Sequence, residues 1–275
     1  MRFLLILVAL LYMTRASVFA ASLGPDSLQT QTDTTYFQQA PSLPWVKQHK
    51  SLLLKSSSVL LVTGLFITSY NRYDRPLHVL AQQERTSVSD KTARLVEPLG
   101  TALPLHATFA TMFAMGALAK RPKMREAALV GLGGFYLSAV STSILKKSFQ
   151  RHRPSSTDDS HLFDGADGSG KNTSFPSSHT SNAFAAATAL ASVYRDSKWV
   201  PEVAYGVATL VGLSRINDNK HWASDVLAGA ALGYLTGKAS YWAIRKAKTQ
   251  LQKRNWVVSP NWQNGAAGLN ASLRF

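Results

Sequence analysis

Three clusters in this 275-residue chain combine cations, histidines and hydroxyls at spacings that could do chemistry on an anion. The first is Lys146, followed after six residues by Arg153-Pro154, at the end of a long apolar run. Proline cannot continue a helix, so Pro154 should leave both cations at one rim. The second is Phe175-Pro176-Ser177-Ser178-His179, directly before an Ala-rich segment. Backbone N–H groups at such a helix start lack intrahelical partners and favour an anion, with the serine hydroxyls beside them. The third is Ser214-Arg215, then His221, then Asp225. His221 and Asp225 are four apart, so the carboxylate can hold the imidazole in one tautomer if helical turns connect them. Three cations, a helix N-terminus, two histidines and one acid suit phosphoryl transfer, in which fixed cations stabilise charge spread over equatorial oxygens.

Each part also has an ordinary structural reading. Lys146 can be a snorkelling helix end, and Ser177-Ser178 a simple N-cap. His221 can be a hydrogen-bonded structural histidine, and Arg215 with Asp225 an ion pair. Only the conjunction favours a site. Taken together, Lys146 with Arg153-Pro154, Pro176-Ser177-Ser178-His179, and Ser214-Arg215 with His221 and Asp225 resemble the type 2 phosphatidic acid phosphatase signature. That superfamily includes bacterial acid phosphatases, lipid phosphate phosphatases and vanadium haloperoxidases. The resemblance covers about residues 125–245. Ser178 departs from it, because the family usually has glycine between the serine and the histidine.

The resemblance implies roles. Lys146, Arg153 and Arg215 would bind the phosphoryl oxygens, assisted by Ser177 and the Ser178 N–H. His221 would attack phosphorus and form a phosphohistidine, oriented by Asp225, while His179 would protonate the departing alkoxide. Phosphate-monoester hydrolysis calls for up to ~10²¹-fold acceleration and one general acid supplies ~10²–10⁴, so the cations must carry much of the rest. No cofactor and no metal are expected. The acidic stretch from Asp158 to Asp167 reads as a rim loop, since its spacing fails the EF-hand pattern for calcium.

The elements that position these clusters read as an all-α bundle of about six core helices, with a small C-terminal β-hairpin. Helices are expected near 51–70, 104–119, 125–148, 180–195, 201–214 and 224–250, with a shorter one starting at Ser89-Asp90 and capped by Ser87 or Ser89. Asn71–Arg75, 152–176 and Asp196–Pro201 read as connections. The tail alternates apolar and polar residues around Asn264-Gly265, a hairpin signal. The order Met1-Arg2, an apolar run from Phe3 to Met13, then Val18-Phe19-Ala20-Ala21 is that of a secretory signal peptide cleaved after Ala20. The organisation expected is therefore a signal peptide at 1–20, an irregular arm at 21–50, a phosphatase-like helical domain at 51–250 and a tail at 251–275.

Composition sets limits on function. Hydrophobic residues make up 45% and charged residues 16%, which excludes a disordered chain and allows a large core. The absence of cysteine excludes disulfide scaffolds, thiolate zinc sites and cysteine nucleophiles. A net charge of +15 suits polyanionic partners. Here these are a phosphate-ester substrate, carried by a lipid, and an anionic membrane surface, with no nucleic acid. Basic clusters at Lys120-Arg121-Pro122-Lys123, Arg195/Lys198 and Arg245-Lys246-Ala247-Lys248 should lie at the bundle end opposite the three motifs. The uncharged runs 101–119 and 127–145 are long enough to span a bilayer, but the mean hydropathy of −0.05 favours an exported, membrane-associated domain over a six-span protein. The expectation is a periplasmic or envelope phosphatase. Soluble organic phosphates are the competing substrates, vanadium haloperoxidation a competing activity, and a non-enzymic basic protein binding anionic lipids the competing class.

Overall fold

A computed structural model of the chain describes residues 61–166, 170–253, 256–263 and 266–273. The expected signal peptide, the arm and the first ten residues of the expected helix 51–70 lie outside the described residues, as does Asp167. Seven α-helices follow the helical lead-in: α1 (Asp74–Gln83), α2 (Ser87–Val96), α3 (Ala102–Leu118), α4 (Pro122–Phe149), α5 (Ser178–Val193), α6 (Val200–Asn217) and α7 (Ala223–Lys253). The all-α fold is as expected, with small differences at helix ends. Strands β1 (Trp256–Gln263) and β2 (Ala266–Leu273) pair antiparallel, with Gln263 opposite Ala266 across a two-residue connection. The expected hairpin is present.

Three expectations need correction. Asn71–Arg75 is not a connection: a π-helical turn, Ser69–Tyr73, leads straight into α1. That wider turn lies directly before Pro76, whose ring and missing N–H would otherwise disturb a regular ladder. The cap of α2 is Thr86, one residue earlier than expected, and Ser89 is its N3 partner in a reciprocal capping box. Finally, α4 ends before Pro154 is reached. Its C-cap, Gln150, adopts a left-handed conformation (φ 44°, ψ 53°) that turns the chain away.

Helix α5 is the centre of the bundle. Its side chains are mostly Ala, Ser and Thr, so neighbours approach closely on several sides. Ala183 and Ala187 pack with Val96, Ala208 and Val211; Ala186 packs with Leu105, Phe109, Ala128 and Phe135; Ala189 and Val193 pack with Ala127 and Val130. Against α7 the approach is closest: a Cβ on Gly233 would lie 2.2 Å from the Ser181 carbonyl oxygen. Helices α4 to α7 alternate in direction. The C-terminal ends of α4 and α6 therefore meet the N-terminal ends of α5 and α7, and this end carries all three motifs. The basic clusters gather at the other end, where Lys123 pairs with Asp196 at 3.2 Å and Lys248 with Glu126 at 2.9 Å.

Among the described residues, α4 alone is long and apolar enough to cross a membrane. The bent pair formed by Ser87–Gly100 and α3 passes the same test if it is taken as one span. Large apolar side chains stand exposed along α3 and α4, including Leu103 (79%), Leu118 (85%), Val140 (59%) and Ile144 (59%).

Candidate active site

Lys146 stands in the last turn of α4, and Arg153 lies just beyond the left-handed exit at Gln150. Thr173 joins them: its carbonyl accepts from Lys146 Nζ, and its hydroxyl accepts from Arg153 Nη2 at 3.0 Å. Burial disfavours the Lys146 ammonium and lowers its pKa to about 8, with Asp225 opposing the shift and Arg153 reinforcing it. A lysine in that state gains most from an anion placed beside it.

The second motif forms the start of α5. Ser177 is the N-cap, fully buried, and its Oγ accepts from the Thr180 N–H and from the Thr180 hydroxyl at 2.9 Å. The hydroxyl only accepts in this cap, so its own proton remains to be donated. The Ser177 N–H donates to the Asp225 carbonyl at 3.1 Å, which ties the start of α5 to the start of α7. Ser178 and His179 occupy the first turn of α5, where backbone N–H groups have no helical acceptor. Ser178 lies within the helix and is not among the residues with positive φ, so serine is unstrained where the family usually has glycine. His179 is part-exposed, and its Nε2 lies 3.5 Å from Glu97 Oε1.

The third motif closes the site. Ser214 is buried and its hydroxyl donates to the Val211 carbonyl at 2.7 Å. Arg215, near the end of α6, is 4% exposed at its side chain. It donates from Nη1 to Glu97 Oε1 at 2.8 Å and from Nη2 to Asp218, while its buried Nε has no partner. His221 lies in the connection to α7. Its Nδ1 is 3.7 Å from Asp225 Oδ2, too long for a hydrogen bond, and is likewise buried without a partner. Burial pushes the His221 pKa down to about 4 against the pull of Asp225, with Lys146 and Arg153 adding to the depression. The imidazole is therefore neutral at physiological pH, the state a nucleophile requires.

Asp225 is held more tightly by other groups than by His221. Its Oδ2 accepts from Ser174 Oγ at 2.5 Å and from the Trp222 N–H at 2.9 Å, and its Oδ1 accepts from Arg151 Nη1 at 2.6 Å. Burial would raise the carboxyl's pKa, but His221, Arg151 and Ser174 outweigh it and keep Asp225 ionised. Arg151 is fully buried and bridges to a second carboxylate, Asp74 of α1, at 2.7 Å. Asp74 in turn accepts from the Ser224 N–H at 2.8 Å. The expected Lys146, Arg153, His179, Arg215, His221 and Asp225 thus converge at one end of the bundle.

These contacts are the geometry of an anion cradle beside a neutral, buried imidazole, and sequence comparison points the same way. Residues 127–249 match the model of the PAP2 superfamily. Over this segment the chain is similar to that superfamily. Lipid A 1-phosphatase from Porphyromonas gingivalis is 46% identical over 98 residues, 35% of this chain and 19% of that protein. The aligned stretch spans about a fifth of that curated relative's length. Among solved structures, a transmembrane PAP2-type phosphatidylglycerolphosphate phosphatase from Bacillus subtilis is similar with a TM-score of 0.51 at 23% identity. That match covers 74% of this chain and 98% of the other and supports the PAP2 fold. Aquifex aeolicus LpxE gives a TM-score of 0.48 at 24% identity, over 60% of this chain and 92% of its own.

Sequence reasoning missed four residues that shape the candidate site. Arg151 was legible as an extra cation in Arg-His-Arg-Pro, but its partners Asp74 and Asp225 lie 77 and 74 positions away. Glu97 and Asp218, the two acids on Arg215, carry no spacing signal that links them to it. Among the described residues, the acidic rim loop does not gather into a metal-binding cluster. Asp164 pairs with His152 at 2.9 Å and accepts from Asn172, and Asp159 accepts from the His161 N–H.

Proposed function

We propose that this chain is a phosphatase that hydrolyses a phosphate ester carried by a lipid, without a metal, through a phosphohistidine on His221. The observation that carries the reading is the neutral, buried His221 beside Lys146, Arg153 and Arg215, with Asp225 behind it. In this reading the phosphoryl oxygens take the three cations and the N–H groups of Ser178 and His179. Arg215 Nε, unpartnered and buried, is one donor it can offer without breaking either ion pair. His221 Nε2 attacks phosphorus, and Nδ1 closes the 3.7 Å gap to Asp225 as the ring becomes cationic. His179 gives its proton to the leaving oxygen, and water then releases phosphate from His221. Cations placed where charge spreads supply the main stabilisation.

The lipid assignment rests on two surfaces. The exposed apolar side chains of α3 and α4 suit contact with a membrane. An apolar groove of about 430 Å³ runs between α3, α5 and α6, and its lining includes Leu99, two residues beyond Glu97. The lipid A 1-phosphatase relative acts, by its name, on a lipid-borne phosphate, and that substrate class is the one we carry over. We assign the activity to the helical domain at 51–250 of an exported protein that works at a membrane face. The experiment is phosphate release from lipid A, phosphatidate, a prenyl diphosphate and p-nitrophenyl phosphate, each with and without EDTA. Release from a lipid substrate that survives EDTA is the expected result. Release from the nitrophenyl ester alone would favour soluble phosphates, and release from none would leave a lipid-binding protein.

A further inference from the structure

Glu97 opens a short 3₁₀ turn, Glu97–Gly100, between α2 and α3. The turn is pinned against the start of α5. A Cβ at Gly100 would lie 2.6 Å from the His179 carbonyl oxygen, so only glycine allows this approach. Asn182 Nδ2 adds a hydrogen bond to the Gly100 carbonyl at 3.3 Å. The carboxylate is thereby delivered to a defined place, where Oε1 accepts from Arg215 Nη1 at 2.8 Å and faces His179 Nε2 at 3.5 Å. We propose that Glu97 is a positioning residue for His179, aiming the imidazole and favouring its protonated form so that it can serve as the general acid.

This inference rests on the phosphatase reading above. The charged groups that face His179 are Arg215 from α6, Lys146 from α4, Arg153 from the loop after α4, and Glu97 from the 3₁₀ turn. Burial and the three cations all disfavour an imidazolium; Glu97 alone of the four favours it. The net effect holds the His179 pKa below its ordinary value, and loss of that carboxylate would lower it further. When the ester P–O bond breaks, its electron pair leaves on the oxygen, which takes the Nε2 proton of His179. In the second half-reaction, water returns a proton to Nε2 as its oxygen bonds to phosphorus and the N–P bond to His221 breaks. The Glu97 carboxylate stabilises the imidazolium at both ends of the cycle.

The test compares phenyl phosphate with p-nitrophenyl phosphate, two esters of similar size whose leaving groups differ in their need for a proton. In Glu97→Gln, Asp218 still anchors Arg215, so binding of vanadate should persist and report a folded site. The ratio of kcat/KM for phenyl to nitrophenyl ester should fall about tenfold, and the loss of phenyl phosphate activity with rising pH should begin about one pH unit lower. Glu97→Asp, which keeps the charge one methylene farther from Nε2, should fall between the wild type and Glu97→Gln, and serves alone if the glutamine variant does not fold. Equal losses on both esters with an unmoved pH profile, in either variant, would overturn the proposal. A wild type that releases phosphate from neither ester would instead refute the phosphatase reading itself.

Discussion

Replacing Lys146 by arginine tests the cation cradle through the pH dependence of the reaction. Burial lowers the Lys146 pKa from 10.5 to about 8. At ~1.36 kcal/mol per pKa unit, the empty site holds the charged lysine at a disadvantage of about 3 kcal/mol. The charged form is the one that binds phosphate, so activity belongs below this pKa and is lost above it. At pH 9 only about a tenth of the free enzyme retains the ammonium, and kcat/KM, which reports the free enzyme, should fall about tenfold for each further unit. A guanidinium remains protonated above pH 12, so Lys146→Arg should hold kcat/KM level through pH 9 even if its bulk lowers the absolute rate. The substrate should be p-nitrophenyl phosphate, whose leaving group makes little demand on His179 and keeps that residue's titration out of the profile. At saturation, a bound dianion restores the lysine's charge, so the fall in wild-type kcat should begin well above pH 8. Stability gives a second check: the unfolded chain binds this proton between pH 8 and 10.5 and the folded chain does not, so stability should rise with pH across that window. If Lys146→Arg keeps the fall near pH 8, the titrating group is not Lys146 and the account of its burial is wrong.

His221→Ala should abolish turnover while vanadate binding persists, because Lys146, Arg153 and Arg215 remain; near-normal turnover would end the covalent mechanism. Ser178→Gly should change kcat/KM by less than about tenfold, since Ser178 is helical and unstrained and glycine keeps the N–H. A hundredfold loss, ~2.7 kcal/mol, would instead give the Ser178 hydroxyl a part in the chemistry. Gly233→Ala should destabilise the protein by about 1–3 kcal/mol in denaturant titrations, because its Cβ would meet the Ser181 carbonyl oxygen at 2.2 Å. An unchanged midpoint would mean that α7 can move off α5 at no cost.

Much of the site was legible in one dimension because its parts are local. The i, i+4 spacing of His221 and Asp225 works because Asp225 sits at N3 of α7, where its carboxylate reaches back to the Trp222 N–H and lies beside the His221 ring. A serine before an Ala-rich run reads as a cap and an anion-binding helix start for the same reason: both properties belong to four or five consecutive residues. Alternating helix direction then brings the three motifs to one end. The hidden partners have no such local cause. Asp74 and Arg151 form a fully buried pair only because α1 packs against the loop after α4 and the start of α7, and no spacing between positions 74, 151 and 225 encodes that meeting. Glu97 reaches Arg215, 118 residues away, because Gly100 lets a 3₁₀ turn lie on the backbone of His179. Even the end of α4, expected near 148 with Pro154 as the stop, is set instead by Gln150, which is fully buried in a left-handed turn and donates from its side chain to the Gly165 carbonyl at 2.7 Å. Propensity and spacing determined which residues could act; side-chain packing between distant helices decided which charges they would face.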